Sequence, residues 1–170
     1  MRRYLLIGNS GSGKSTLAAR LARAAGTPHL DLDVLAWEPR VTPPLRRALE
    51  SSAREIAAFM GSSEGWVIEG CYADLAEVAL SRCTHLLFLN PGVEACRENA
   101  RARPWEPHKY ASKAEQDAGL DFLLGWIGEY ATRRDVFSLP AHRAVFDGFA
   151  GEKTELVTRE AIAAFEPGSR

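Results

Sequence analysis

Residues 8–15 read Gly-Asn-Ser-Gly-Ser-Gly-Lys-Ser, and they follow directly on the apolar run Tyr4–Ile7. The apolar run indicates a short buried strand, and the glycines indicate the turn that ends it. After this turn, apolar residues recur at helical spacing until Gly26; they are Leu17, Ala18, Leu21, Ala22 and Ala25. The chain is therefore predicted to begin with a strand, a glycine-rich turn and a helix in direct succession.

The turn fits the pattern G-x-x-x-x-G-K-[ST], known as Walker A, in the strand-to-helix context that the pattern requires. Its glycines allow backbone N–H groups to point into one concavity, and the positive end of the following helix attracts a polyphosphate. Lys14 is expected to reach the β- and γ-phosphates, and the Ser15 hydroxyl to bind Mg²⁺. An ordinary glycine-rich turn is the alternative, and the context argues against it. The pattern predicts Mg²⁺ and ATP as ligands, with the nucleotide held by Gly8, Asn9, Ser10, Gly11, Ser12, Gly13, Lys14, Ser15 and Thr16.

Composition is typical of a single soluble globular domain. The chain has 170 residues, 46% hydrophobic and 25% charged, so residues 1–170 are predicted to fold as one domain. Lys plus Arg number 21 against 22 Asp plus Glu, a net charge of −1, which gives no support to a nucleic-acid or membrane partner. The three cysteines lack metal-ligand spacing, and no apolar run approaches the length of a membrane span. A reduced, cytoplasmic location is predicted, and the oligomeric state stays open.

Apolar runs and helical periodicities alternate after Gly26. Further strands are predicted at 29–32, 66–68, 85–89 and 154–157, and helices at 42–59, 75–80, 93–102, 120–130, 140–149 and 158–165. Thr42 is expected to cap the first of these helices, with Pro43 and Pro44 in its first turn. Residues 103–115 contain prolines and aromatic rings without a period, which predicts a functional loop. The alternation indicates an α/β domain with a largely parallel sheet.

A phosphate-binding loop predicts a bound nucleotide but does not specify a reaction. The chain lacks the N-K-x-D element with which GTPases select guanine, and it lacks their D-x-x-G element. A motor or an AAA+ module normally needs a longer chain. The small kinases are the class that these observations favour.

The chain resembles the P-loop kinases of the adenylate kinase and shikimate kinase type, and the small bacterial kinase-like proteins described as topology modulation or adenylate kinase-related proteins. The segments that carry the resemblance are Ile7–Leu17, Leu30–Trp37, Trp66–Gly70 and Leu86–Pro91. The resemblance implies a P-loop NTPase three-layer sandwich. In that fold, helices flank a five-stranded parallel sheet of order 2-3-1-4-5, ATP binds at the first loop, and a small arginine-bearing lid covers the site. The lid is expected at about 103–115.

Three carboxylates follow predicted strands at the edge where open α/β sheets bind ligands. Glu69 resembles the acidic residue of the Asp-Gly pair with which adenylate kinases hold Mg²⁺ through water. Asp31 and Asp33 alternate, so on a straight strand both side chains point to one face. They are similar to the D-x-D of shikimate kinases, which implies that Asp33 orients or deprotonates the acceptor hydroxyl and that Asp31 supports Mg²⁺. Solvated acids at strand ends are the alternative.

Arginines supply the remaining candidates. Arg97 and Arg101 lie four residues apart on one predicted helix, hence on one face, and are similar to the arginine pair that adenylate kinases place over the transferring phosphates. Arg103 follows at the base of the lid. These cations would neutralise charge on the γ-phosphate oxygens. A solvated helix face, with Glu94 and Glu98 as partners, is the alternative.

The favoured function is a kinase that transfers the γ-phosphate of Mg·ATP to a small-molecule acceptor, a hydroxyl or a nucleotide. Lys14, Asp33, Arg97, Arg101 and Arg103 are its predicted catalytic residues, and Ser15, Glu69 and Asp31 its predicted metal ligands. His108 and Lys109 are candidate substrate contacts in the lid. Two alternatives stay open. One is a nucleotide-binding regulatory ATPase that acts through a partner, and the other is a kinase of nucleic-acid ends, which would need a basic channel.

Overall fold

A computed structural model describes residues 1–39, 41, 43–106 and 111–167. These residues form a five-stranded sheet of order β2-β3-β1-β4-β5, in which every neighbouring pair is parallel. The strands are β1 Arg3–Gly8, β2 His29–Asp31, β3 Trp66–Gly70, β4 His85–Leu89 and β5 Glu152–Leu156. The predicted fold class and strand order are confirmed.

Helices flank both faces of the sheet. They are α1 Lys14–Ala25, α2 Asp33–Ala36, α3 Leu49–Gly61, α4 Ala73–Leu80, α5 Val93–Arg101, α6 Lys113–Ala118, α7 Leu120–Gly128, α8 Leu139–Gly148 and α9 Arg159–Ala164. A short 3₁₀ helix, Glu129–Ala131, follows α7. No helix in the described part of the chain is long and apolar enough to cross a bilayer.

The core lies on both sides of β1, because strands in a parallel sheet are covered on both faces. Alternation along the strand sends Leu5 and Ile7 into the cluster that contains residues of α3, α4 and α8. Tyr4 and Leu6 pack in the opposite cluster, with residues of α1. The strand ends come level, since Ile7 lies beside Gly70 of β3 and Phe88 of β4. The loops that follow β1, β3 and β4 therefore meet at one edge.

The helix predicted from Thr42 begins later, at Leu49. Thr42 itself lies outside the described residues, and Pro43 and Pro44 precede the helix rather than occupying its first turn. Proline disfavours helical backbone in the residue before it, so Pro44 opposes a helical conformation at Pro43. Trp37 and Arg46 instead form an antiparallel bridge.

The loop predicted at 103–115 is irregular from 103 to 106 but becomes helical at Lys113, where α6 begins. Ser112 caps this helix, since its Oγ accepts from the backbone N–H of Glu115 at 3.1 Å. The S-x-x-E spacing of these two residues is the sequence signal for such a cap. Residues 107–110, which include the predicted contacts His108 and Lys109, lie outside the described part of the chain.

Candidate active site

The loop between β1 and α1 requires glycine at two points where the backbone is left-handed. Gly11 has φ +76°, and a Cβ added there would lie 2.3 Å from the carbonyl oxygen of Cys96 on α5. Gly13 has φ +94° and immediately precedes α1. A chain of this conformation at a helix N-terminus is the geometry that cradles phosphate oxygens with backbone N–H groups.

Two asparagines tie the loop to the helices behind it. The Asn9 side chain is buried and its Nδ2 donates to the carbonyl of Ile127 on α7 at 3.1 Å. Asn99 on α5 donates to the carbonyl of Gly11 at 2.8 Å. Asn99 was not predicted, because only the folded chain brings α5 against the loop. These bonds hold the first half of the loop in place.

A cleft of about 890 Å³ opens above this loop. Its lining includes most of the predicted nucleotide and metal contacts, namely Ser10, Gly11, Ser12, Gly13, Lys14, Ser15, Thr16, Asp31 and Glu69. It also includes Asp33 and Arg103. Asn9 does not line the cleft and is almost fully buried. Gly8 does not line it either and packs against the Leu89 carbonyl.

Lys14 lies within the loop rather than projecting into solvent. It is 7% exposed, and its Nζ donates to the carbonyl of Asn9 at 2.8 Å and to Ser12 Oγ at 3.5 Å. A lysine held over the loop by one carbonyl and one hydroxyl oxygen presents a fixed positive charge to the cleft. This position suits contact with an anionic phosphate chain.

Glu69 brings a buried carboxylate to the same cleft. Its side chain is 3% exposed, and His29 Nε2 lies 3.9 Å from its Oε1. That Oε1 makes no hydrogen bond within the described residues. The pKa of Glu69 is raised to about 7, chiefly by burial and also by the charges of Asp31 and Asp33, although Lys14 and a hydrogen bond with Ser15 oppose the shift. The protein thus leaves one buried carboxylate oxygen in need of a partner.

The residues at the cleft suit Mg²⁺. The donors at the cleft are the Ser15 hydroxyl and the carboxylates of Glu69 and Asp31, all oxygen ligands of the kind that Mg²⁺ prefers. The orphaned Oε1 of Glu69 gives the cation a place to bind. Among the described residues, no group of three or more His, Cys, Asp or Glu side chains could hold a metal alone. The set fits an ion that keeps its waters and relies on substrate phosphates, as Mg²⁺ does.

Asp31 and Asp33 line the cleft, but the backbone that carries them differs from the prediction. The straight strand assumed for both is wrong, because β2 ends at Asp31 and Asp33 is the first residue of α2. The Asp31 carboxylate turns the chain by accepting from the backbone N–H of Asp33 at 2.9 Å. Both residues line the cleft.

Two aromatic residues behind Asp33 were not singled out by sequence. Tyr72 OH donates to Asp33 Oδ1 at 2.6 Å, and Trp37 Nε1 donates to Tyr72 OH at 2.8 Å. Burial is the main cause that raises the pKa of Tyr72 well above its ordinary range, so its hydroxyl stays protonated. Each contact joins residues far apart in the chain, which no local pattern reveals.

The arginine pair predicted over the phosphates lies elsewhere. Arg97 turns to α7, where its Nε donates to the carbonyl of Leu124 at 3.1 Å, and its Nη1 pairs with Glu94 at 2.8 Å. Arg101, one turn along the helix, is exposed and does not line the cleft. Spacing correctly placed both on one face of α5, but packing against α7 decides which way that face points.

Other cations line the cleft. Arg103 does so as predicted from its place at the lid base, and its Nη1 lies 3.4 Å from Glu106 Oε2. Arg159, the first residue of α9, was missed; its Nη2 donates to the Ala95 carbonyl at 3.0 Å, and it pairs with Glu98. Arg20 and Arg23 of α1 complete the set. The position of Arg159 just after the last strand is the signal that could have identified it.

The parallel sheet of order β2-β3-β1-β4-β5, the glycine-rich loop and the buried lysine together define a P-loop NTPase fold. The chain belongs to the AAA domain family, whose model matches residues 4–115. The sequence analysis set AAA+ modules aside on chain length, but the match to this P-loop domain model agrees with the predicted resemblance to the small P-loop kinases.

Solved structures show the same fold. The crystal structure of a gluconokinase from Sinorhizobium meliloti 1021 superposes with a TM-score of 0.52 and 19% identity, covering 95% of this chain and 90% of the other. At this identity the likeness shows the fold. No curated protein matches the chain.

Proposed function

We propose that this protein is an ATP-dependent phosphotransferase that moves the γ-phosphoryl group of Mg·ATP to a hydroxyl group of a small molecule. One observation carries the proposal: the phosphate-binding loop and the carboxylate of Asp33 line the same cleft. That a protein of the same fold is named a gluconokinase supports a kinase activity. In this proposal residues 1–170 act as one unit, and the lid at about 103–115 covers the cleft.

The nucleotide phosphates occupy the loop in this proposal. The segment Gly8–Thr16 surrounds them, and Lys14 neutralises charge on the β- and γ-phosphates. Arg97 and Arg101 are reassigned: Arg97 holds α5 against α7, and Arg101 is exposed and does not line the cleft. Arg103, at the base of the lid, and Arg159, at the start of α9, replace them as the proposed phosphate-binding cations, because both line the cleft. Fixed cations of this kind stabilise charge that is spread over the γ oxygens.

Ser15, Glu69 and Asp31 are proposed to hold the magnesium ion, directly or through its water ligands. When bound, Mg²⁺ neutralises phosphate charge and orients the γ-phosphate. Its presence would also satisfy the buried Oε1 of Glu69, which makes no hydrogen bond within the described part of the chain. Glu69 would then remain ionised, since a bound cation opposes the effect of burial on its pKa.

Asp33 binds the acceptor hydroxyl and takes its proton. The acceptor oxygen forms a bond to the γ-phosphorus while the bond from this phosphorus to the β–γ bridging oxygen breaks, and ADP leaves with that oxygen. The three carboxylates Asp31, Asp33 and Glu69 line this part of the cleft. A phosphate acceptor would be repelled there, because phosphate binding requires cations. The geometry therefore favours an alcohol over a nucleoside monophosphate.

The test is ADP release with Mg²⁺ and ATP, in the presence of sugars, sugar acids, amino alcohols, nucleosides and nucleoside monophosphates. We expect one alcohol to stimulate release and Lys14→Ala to abolish the stimulation. Lys153→Ala is the matched control, because Lys153 is exposed on β5 and does not line the cleft. ATP binding without stimulation by any acceptor would favour the regulatory ATPase instead. Stimulation by an oligonucleotide alone would favour the nucleic-acid kinase.

A further inference from the structure

Behind Asp33 lies a short chain of hydrogen bonds with a fixed direction. Trp37 Nε1 and Tyr72 OH are 2.8 Å apart, and Tyr72 OH and Asp33 Oδ1 are 2.6 Å apart. An indole N–H can only donate, so the Tyr72 oxygen must accept from Trp37. The single proton of the Tyr72 hydroxyl is then committed to the Asp33 carboxylate.

The tyrosine ring is held on several sides. Tyr72 is 3% exposed and sits directly between β3 and α4, next to the strand end that carries Glu69. The Arg46 guanidinium lies 4.8 Å from its ring centroid, and Asp74 fixes this guanidinium through a 2.8 Å ion pair. Phe137 meets the ring edge-on, with centroids 5.2 Å apart. The hydroxyl therefore has one position relative to the sheet.

We propose that Tyr72 is a positioning residue that orients the Asp33 carboxylate toward the acceptor, and that Trp37 fixes the direction of the Tyr72 hydroxyl. The proposal rests on the function proposed above, in which Asp33 receives the acceptor proton. A carboxylate on the first residue of the short helix α2 could rotate about its side-chain bonds. A 2.6 Å bond to a buried phenol restricts that rotation.

This arrangement also explains why Trp37 and Asp33 come from the same short segment. Both are attached to α2, Asp33 at its start and Trp37 just after its end. Tyr72 bonds to both, so it fastens α2 to the end of β3. The acceptor carboxylate and the metal-binding carboxylate of Glu69 are thereby held in a fixed relation. Preorganisation of this kind lowers the barrier by avoiding reorientation during the reaction.

The test is a double-mutant cycle with Tyr72→Phe and Trp37→Phe. Tyr72→Phe keeps the ring and its packing and removes the hydroxyl. We expect kcat for acceptor-stimulated ADP release to fall about tenfold or more, because a charge-assisted bond is lost, while KM for ATP stays unchanged. Trp37→Phe should lower kcat less, and it should have no further effect in the Tyr72→Phe background.

Tyr130→Phe is the control, since Tyr130 OH bonds to His142 Nδ1 at 2.7 Å rather than to Asp33. Additive effects of Tyr72→Phe and Trp37→Phe, or a change in KM for ATP with kcat unchanged, would overturn the proposal. So would a loss of kcat in Tyr130→Phe equal to that in Tyr72→Phe.

A spectroscopic measurement separates this proposal from the function on which it rests. In a ¹H–¹⁵N spectrum, the Trp37 indole N–H should shift in Tyr72→Phe and in Asp33→Asn, and stay in place in Tyr130→Phe. If the Trp37 signal does not shift in Tyr72→Phe, the proposed hydrogen-bond chain is overturned, whatever activity the variant has. If the signals shift as expected but the protein phosphorylates no acceptor, the proposed function is overturned. The catalytic role of the Trp37–Tyr72–Asp33 hydrogen bonds is then overturned with it.

Discussion

At the scale of single residues, His142 is a buried imidazole that lies outside the lining of the cleft. It is fully buried, and its Nε2 lies 3.0 Å from the carbonyl oxygen of Cys71, just past the end of β3. A carbonyl can only accept, so Nε2 carries the proton and Nδ1 accepts from Tyr130 OH. Burial lowers the pKa of His142 to about 4. The imidazole is therefore neutral in the folded protein near neutral pH.

Because the buried imidazole is neutral, we expect the contribution of His142 to the free energy of unfolding to depend on pH. In the unfolded chain a histidine titrates near pH 6.5, so between about 6.5 and 4 the unfolded state binds more protons and acid destabilises the fold. The contribution of His142 is complete above pH 6.5 and is lost as pH falls through about 4. We expect the loss of unfolding free energy in His142→Asn to be smaller at pH 5.0 than at pH 7.5, by about 2 kcal/mol. Urea denaturation of both proteins at the two pH values measures this.

Glu69 changes the stability with pH in the opposite direction to His142. The comparison of wild type with His142→Asn removes this effect of Glu69. The pKa of Glu69 is raised in the fold, so this carboxyl contributes stability at low pH that is lost as pH rises through about 7. Both proteins contain Glu69, and its contribution cancels in the difference. A difference in unfolding free energy that is the same at pH 5.0 and pH 7.5 would show that His142 does not titrate as described.

At the scale of elements, the contact of α5 with the phosphate-binding loop is a tight constraint on the site. A Cβ on Gly11 would meet the backbone oxygen of Cys96 at 2.3 Å, and the backbone there is left-handed. Gly11→Ala must therefore move the loop or the helix. We expect a loss of about 1–3 kcal/mol in unfolding free energy from the backbone strain alone, and nucleotide affinity reduced at least tenfold. Thermal denaturation and titration with a fluorescent ATP analogue measure the two effects.

Gly125→Ala is the matched control. Gly125 lies inside α7, and a Cβ there would have open space around it. Alanine favours a helix interior over glycine, so this variant should gain up to about 1 kcal/mol and bind nucleotide as wild type does. Normal nucleotide affinity in a folded Gly11→Ala protein would contradict the account of the loop.

Elements were predictable where the sequence carries a local signal. All five strands were located, because each is an apolar or alternating run that ends near glycine, asparagine or a change of period. The four-residue helix α2 was missed, since it is too short to show a period. The start of α3 was placed too early because Thr42 and the prolines resemble a helix start, although a proline disfavours helical backbone in the residue before it.

Site residues divide in the same way. Lys14 and Ser15 follow from the loop pattern, and Glu69 from its place at a strand end. The directions of Arg97 and Arg101 could not be predicted, because periodicity tells which residues share a face but not which neighbour that face meets. The contacts of Asn99, Tyr72 and Arg159 depend on pairings across the fold. Sequence therefore supplied the residues attached to strand ends and missed those that support them.

At the scale of the whole molecule, positive and negative side chains nearly balance, with a net charge of −1. The strand order nevertheless places the acidic and the basic residues of the cleft on opposite sides of β1. The carboxylates Asp31, Asp33 and Glu69 follow β2 and β3, on one side of β1. Arg103 and Arg159 follow β4 and β5, on the other side. The loop after β1 lies between them. A polyphosphate chain and a hydroxyl acceptor would thus each face the charge that suits it.

The central claim is that one cleft binds ATP and uses Asp33 to transfer its γ-phosphate. The most direct test compares Asp33→Asn with wild type in two measurements, ATP binding by calorimetry with Mg²⁺ and acceptor-stimulated ADP release. We predict nearly unchanged ATP affinity and ADP release lower by about 10²-fold or more, the contribution typical of a general base. Stimulated ADP release at the wild-type rate in Asp33→Asn would contradict the account.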